Sequence, residues 1–169
     1  LRFAENRAGP FSAIHLVGSS MGGLTVLWYS ALNPGRAQAN ITIAPAFEMA
    51  GRLLLRLGRR TAERWRREGR IRIEPDDAEC RGFDLGYGFV RDETRYPIAA
   101  LAERLGTPTL ILHGSRDGSV PCQLSRRFAE RVRGVKLVVI ENGDHRLADH
   151  KVTLFEEMEK FVSRAAGRF

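Results

Sequence analysis

Cysteine is almost absent: Cys80 and Cys122 are the only two in 169 residues. They lie far apart and show no ligand spacing. That argues against a disulfide framework and a cysteine-based metal site, and it suits a reducing compartment, with the cytoplasm as the expected location. Lysine is scarce as well. Three lysines stand against 24 arginines in a chain of formal net charge +7. Such a bias is the usual mark of a GC-rich genome. A basic balance suits nucleic acid, but no fingerprint of a nucleic-acid module accompanies it, and charge by itself argues only for solubility and steering. No nucleic-acid partner is therefore expected. No apolar run approaches the roughly 18 residues that would suggest a membrane-spanning helix. No secretory signal pattern opens the chain, and its first residue is Leu1 rather than methionine, so that absence carries no weight. Repeats and low-complexity segments are missing too.

What is present is enough apolar material, 43% of the residues, to bury a core in one domain. Leu1 to Gly9 reads as the tail of a helix ending at Gly9-Pro10. Strands are predicted at 13–17, 39–44 (stopped by Pro45), 109–113 and 135–140, with helices at 21–33, 123–132 and 149–166. The strands are short continuous apolar runs alternating with helices, the pattern of a parallel α/β sheet buried on both faces. Residues 45–106 interrupt it and are too long for an ordinary connection. Phe47, Ala50, Leu53, Leu54 and Leu57 recur there at helical spacing, Gly58 is expected to divide the helix, 71–74 is a short extended piece before Pro75, and two helical turns flank Pro97. The chain thus reads as a core of 1–44 and 107–169 with a helical cap insertion at 45–106.

Gly18-Ser19-Ser20-Met21-Gly22 fits G-x-S-x-G, between the first strand and the first helix. A serine on a tight strand-to-helix turn takes a strained backbone conformation and projects its hydroxyl into open space; the flanking glycines are expected to remove side chains that would collide across the turn. An unassisted hydroxyl is a poor nucleophile and needs a base and an orienting acid. Each should sit just past the end of a strand, where the loops of such sheets converge. After the third strand comes Gly114-Ser115-Arg116-Asp117, and after the fourth Gly143-Asp144-His145. Asp117 and His145 therefore follow Ser20 in the order serine, acid, histidine. Asp144 and Asp149 are rival acids, but the first adjoins His145 and the second reads as a helix cap. His113 and His150 are rival bases, the first better read as structural and the second as part of the last helix's opening turn. His15, inside the elbow strand, is expected in the core.

On the motifs Gly18–Gly22, Leu112-His113-Gly114-Ser115-Arg116-Asp117-Gly118-Ser119-Val120-Pro121 and Gly143-Asp144-His145, the chain resembles the α/β-hydrolases. The resemblance spans about residues 10–165 and is to small bacterial serine esterases and thioesterases with a short helical cap, the depalmitoylase and acyl-glucuronide esterase branch. It implies a partial α/β-hydrolase fold with about four parallel strands, and a serine hydrolase that cleaves a carboxylic ester or thioester through an acyl-enzyme. Ser20, Asp117 and His145 would form the triad and the Met21 N–H one oxyanion-hole donor. It implies no metal or cofactor, and a small acyl substrate as partner. The departure from the family is at the start. A complete member has about four strands before the elbow and an early loop donating the second oxyanion N–H; here about a dozen residues precede the elbow strand, so the N-terminal third is expected to be missing, that donor with it, and the elbow strand to form a bare sheet edge. Peptidase or acyltransferase chemistry on the same fold is the first alternative, and a catalytically incomplete binding remnant the second.

Three groups in the sequence have two readings. The arginines Arg52, Arg56, Arg59, Arg60, Arg64, Arg66, Arg67, Arg70 and Arg72 form a solvated helix face or attract anionic substrates or lipid headgroups. Phe47, Leu53, Leu54, Leu57 and Trp65 pack the cap or line an acyl pocket. Cys122 lies near a helix N-terminus, where a thiol can be acidified, but has no evident catalytic partner.

Overall fold

The computed structural model describes residues 11–74 and 81–166. The expected helical tail at Leu1–Gly9, the stop at Pro75 and Cys80 lie outside them. In chain order the elements are β1 (His15–Ser19), α1 (Met21–Leu32), β2 (Ala39–Ile43), α2 (Met49–Glu68), β3 (Arg70–Ile73), β4 (Phe83–Gly86), α3 (Gly88–Glu93), α4 (Ile98–Arg104), β5 (Thr109–Gly114), α5 (Cys122–Arg131), β6 (Val135–Ile140), a 3-10 turn at Ala148–His150, and α6 (Lys151–Ala166). The described residues form two compact units. One runs to Phe47 and resumes at Ala99; the other is Glu48–Ile98.

The first unit is built on a four-stranded parallel sheet of order β1-β2-β5-β6. Register is continuous: Ile41 aligns with Val17 on one side and Leu110 on the other, and Leu112 aligns with Val138. The expectation of strands buried on both faces holds for the interior pair. β5 is buried at every position, as is β2 except at Ile43, whereas β1 and β6, each with a single neighbouring strand among the described residues, are only partly covered. His15 accordingly is only partly buried rather than a core residue, though its Nδ1 is buried with no hydrogen-bond partner among the described residues.

Ile41, Leu110, Leu112, Ile140, Leu147 and Leu154 form one apolar cluster beneath α6. On the other flank of the sheet Leu27 is fully buried, and the rings of Phe47 and Phe128 pack with centroids 4.8 Å apart. The interior strands also bury polar groups, each satisfied as burial demands. Ser30 Oγ donates to Asn40 Oδ1 (2.7 Å), Asn40 Nδ2 donates to Thr109 Oγ1 (3.2 Å), and Thr109 Oγ1 donates to the Thr107 carbonyl (2.8 Å).

In the second unit α2 is divided at Gly58, whose φ of 73° and ψ of 162° break the helical path. Glycine reaches this conformation without the steric cost other residues meet. β3 and β4 pair antiparallel, Ile71 opposite Leu85. Trp65 is fully buried, meets Tyr87 edge-on with centroids 5.4 Å apart, and donates its indole N–H to the Leu85 carbonyl at 2.9 Å. Trp65 and Phe47 are thus packing residues, while Leu53, Leu54 and Leu57 are half-buried and Leu55 is exposed. Of the arginines of α2, Arg52 is half-buried and the others are exposed; Arg59 pairs with Glu63 at 2.8 Å and Arg64 with Glu68 at 4.0 Å on the same helix, and the shallow groove at Arg60, Thr61, Glu63, Arg64 and Arg67 is lined by that helix alone. Among the described residues no helix is long and apolar enough to cross a membrane.

Candidate active site

Ser20 is the hinge between β1 and α1. Its φ of 52° and ψ of −119° lie in a region non-glycine residues rarely occupy, at a cost of order 1–3 kcal/mol. Three backbone hydrogen bonds hold it there. Ser20 N–H donates to the Ile43 carbonyl (2.8 Å), and its own carbonyl accepts from Leu24 N–H (3.1 Å) and Ala46 N–H (3.1 Å). The end of β2 therefore clamps the elbow from the side. Of the glycines, Gly18 has the steric role expected: a Cβ there would collide with the Gly22 carbonyl and the Gly23 nitrogen. Gly22 does not, since a Cβ there would meet nothing within 4 Å. The tight position is Gly23 instead, where an added Cβ would lie 3.2 Å from the Gly18 carbonyl and 3.3 Å from Pro45, because it faces back toward the strand as α1 begins.

Asp117 lies in the loop after β5 and His145 in the loop after β6. The two loops are fastened together. Ser115 N–H donates to the Ile140 carbonyl (2.9 Å), Arg116 N–H to the Gly143 carbonyl (2.9 Å), and Asn142 N–H to Ser115 Oγ (2.9 Å). A side chain at Gly114 would strike the backbone of Gly143 and Asp144, and one at Gly143 would strike Leu147 and press on Gly114. The two glycines therefore let the acid loop and the base loop touch. Both were visible as loop markers, but nothing in the sequence says that they face each other, and Ser115 gave no signal of its clamping role.

The three expected residues come together. His145 Nε2 is 3.1 Å from Ser20 Oγ, and His145 Nδ1 is 2.7 Å from Asp117 Oδ2. The carboxylate can only accept, so Nδ1 carries the proton and Nε2 is left to accept from the serine hydroxyl. Burial falls along the series: the Asp117 side chain is 0% exposed, that of His145 24%, and Ser20 stands at the partly open elbow. Asp117 Oδ1 also accepts the N–H groups of Ser119 (2.8 Å) and Val120 (2.7 Å), so the buried carboxylate is well satisfied. Met21 opens α1, where its N–H has no intrahelical acceptor.

The rivals fall elsewhere. Asp144 Oδ1 accepts from Arg146 N–H (3.0 Å) and Leu147 N–H (2.7 Å), tightening the turn after His145. Asp149 is not the helix cap. The last helix is preceded by a 3-10 turn whose capping residue is Leu147, at φ 51°, with Asp149 inside the turn. His113 is fully buried. Cys122 is a free thiol held above its ordinary pKa, chiefly by burial, with Arg126 pulling the other way. Among the described residues no three His, Cys, Asp or Glu side chains gather as a metal site.

Residues 4–163 match UPF0227, described as an uncharacterised protein family. The chain belongs to this family. Among curated proteins it is similar to the palmitoyl-protein thioesterase ABHD10, mitochondrial, of Mus musculus, at 26% identity over 136 residues, covering 79% of this chain and 46% of that protein. The Homo sapiens protein of the same name is 25% identical, with 79% and 44% covered. The chain thus spans about half the length of the curated relatives it matches. Among solved structures, Est1E from Butyrivibrio proteoclasticus superposes at a TM-score of 0.80 with 22% identity, covering 98% of this chain and 67% of that one. Alpha/beta hydrolase domain-containing protein 10 from mouse gives 0.70 and 22%, covering 94% and 67%. This UPF0227 chain has the α/β-hydrolase fold.

Proposed function

We propose that this UPF0227 chain is a serine hydrolase of carboxylic esters or thioesters, with Ser20 as nucleophile, His145 as base and Asp117 as orienting acid. The observation that carries the reading is the unbroken series Ser20 Oγ, His145, Asp117 at 3.1 Å and 2.7 Å on a strained elbow. Ser20 Oγ attacks the acyl carbonyl carbon and its proton passes to His145 Nε2. The resulting oxyanion is met by the Met21 N–H. The tetrahedral intermediate collapses, and the leaving alcohol or thiol departs with the proton from His145. Water then gives a proton to His145, attacks the acyl-enzyme and releases the acid as Ser20 recovers its hydrogen. Asp117 holds the tautomer and stabilises the imidazolium throughout.

The names of the relatives, a palmitoyl-protein thioesterase among them, support an acyl substrate of low polarity. A reactive phosphonate captures an activated serine in a single covalent step and so reads the series Ser20, His145, Asp117 without requiring turnover. The folded chain should therefore be labelled by a fluorophosphonate probe at Ser20, and Ser20→Ala should abolish labelling and any hydrolysis of a short p-nitrophenyl ester. A folded chain that stays unlabelled, or labelling that survives Ser20→Ala, overturns the assignment.

A further inference from the structure

His113 stands behind the acid rather than in the series just described. It closes β5, is fully buried, and uses both ring nitrogens. Nε2 lies 2.9 Å from the Val120 carbonyl and 3.1 Å from Asp117 Oδ2. Both partners are acceptors, so Nε2 carries the proton; its hydrogen bond goes to the Val120 carbonyl, and Asp117 Oδ2 lies in close polar contact beside it. Nδ1 lies 2.8 Å from Ser125 Oγ, a hydroxyl that is itself fully buried on α5. The hydroxyl can supply the hydrogen that the unprotonated Nδ1 needs.

The Asp117 carboxylate therefore takes three hydrogen bonds and one further polar contact. The Ser119 and Val120 N–H groups donate to Oδ1, His145 Nδ1 donates to Oδ2, and His113 Nε2 lies against the same Oδ2 at 3.1 Å. A carboxylate offers about four acceptor sites, so Oδ2 has room for this fourth group. Of the four groups, His145 is the one to be oriented and the two backbone amides grip the opposite oxygen. His113 alone ties Oδ2 to a second element of the fold, running from α5 through Ser125.

We propose that His113 is a positioning residue: by holding its Nε2–H against Asp117 Oδ2, with Ser125 fixing its ring, it sets the carboxylate plane that aims His145 at Ser20. The role deepens the serine-hydrolase reading and rests on it for its consequence in catalysis. Its geometric content, the orientation of Asp117 toward His145, stands separately.

Two substitutions divide the ring's functions. In His113→Gln the amide nitrogen takes the place of Nε2, keeping the N–H beside Asp117 and giving up Ser125. In His113→Asn the shorter amide reaches the place of Nδ1, keeping Ser125 and giving up Asp117. Each is measured for thermal stability, for fluorophosphonate labelling rate at Ser20, and for the downfield NMR resonance of the proton between His145 Nδ1 and Asp117. His113→Gln should label at close to the wild-type rate with that resonance in place. His113→Asn should label on the order of tenfold to a hundredfold more slowly, the usual consequence of removing the partner behind a working group, with the resonance shifted or lost. If both variants keep the wild-type resonance, or if labelling follows melting temperature rather than the retained donor, His113 merely docks α5 and the proposal is wrong. If His113→Asn does not fold, Ser125→Ala, which frees the ring to turn, must move the resonance in its place; an unmoved resonance there also overturns the proposal. Should the wild type itself stay unlabelled, the hydrolase reading falls while the resonance still decides the positioning.

Discussion

A methyl group added at Gly18 would be driven into the backbone of Gly22 and Gly23, whereas one added at Gly22 would enter open space. The two glycines of the elbow motif are therefore not equivalent. Gly18→Ala should cost about 3 kcal/mol or more, because the obstacle is backbone on both sides and cannot move aside. Gly22→Ala, at an exposed position of the first helical turn, should be neutral or stabilise by up to about 1 kcal/mol, since alanine gives up less backbone freedom on entering a helix. Denaturant unfolding of the two variants tests this, and equal losses would show that the elbow is tight at both places. At this scale the hydrogen-bonded series Ser20, His145, Asp117 was legible, because its members sit in motifs that mark them as candidates. The supporting residues were not. Gly23, Ser115 and Ser125 act through contacts between segments far apart in the chain, and no local pattern marks such contacts in advance.

The elements were read largely from apolar runs and their punctuation, and the reading was good wherever one signal dominated. Gly58 divided α2 as expected, and β2, β5 and β6 fell within a residue of their predicted ends. It was poorer where tertiary neighbours decide. β1 was expected at 13–17 and is formed at His15–Ser19, because pairing with Ala39–Ile43 carries the strand into the elbow. The opening of the last helix went astray for the same reason: a 3-10 turn with Leu147 as its capping residue precedes it, and Asp149 lies within that turn. The join between β6 and α6 gives a pH test. Lys136 Nζ donates to Glu157 at 2.7 Å, and hydrogen bonds from Lys136 and then Lys160 hold the Glu157 carboxyl below its ordinary pKa. A carboxylate lowered by folding stabilises the fold above its unfolded pKa and loses that contribution as pH falls through the folded one. Lys136 is 42% exposed, so screening limits the pair to under about 1 kcal/mol. Glu157→Gln should thus lower the melting temperature by no more than about 4 °C at neutral pH. The difference should vanish once the pH is well below the carboxylate range. Melting curves at the two pH values check the sign, and a gap that widens in acid would contradict it.

At the scale of the whole molecule, the chain combines a well-covered interior strand pair with a flank that no described residue pairs. β1 pairs with β2 on one side, and among the described residues it is the outer strand of the sheet on that flank. Its Val17 is 59% exposed, although the residue type and position are those of a strand interior. An apolar outer strand offers unpaired backbone N–H and carbonyl groups together with a sticky side chain, the combination from which chains associate edge to edge. These 169 residues in solution should therefore self-associate as their concentration rises, and Val17→Lys should suppress this by placing a desolvation penalty and like-charge repulsion at the edge. Sedimentation velocity over a concentration series reads the difference, with circular dichroism confirming that the variant keeps its secondary structure. The competing apolar surface is on α6, where Val152 and Phe155 are 73% and 70% exposed. If Val17→Lys associates like the parent chain while Phe155→Lys does not, the helix rather than the strand edge is the contact.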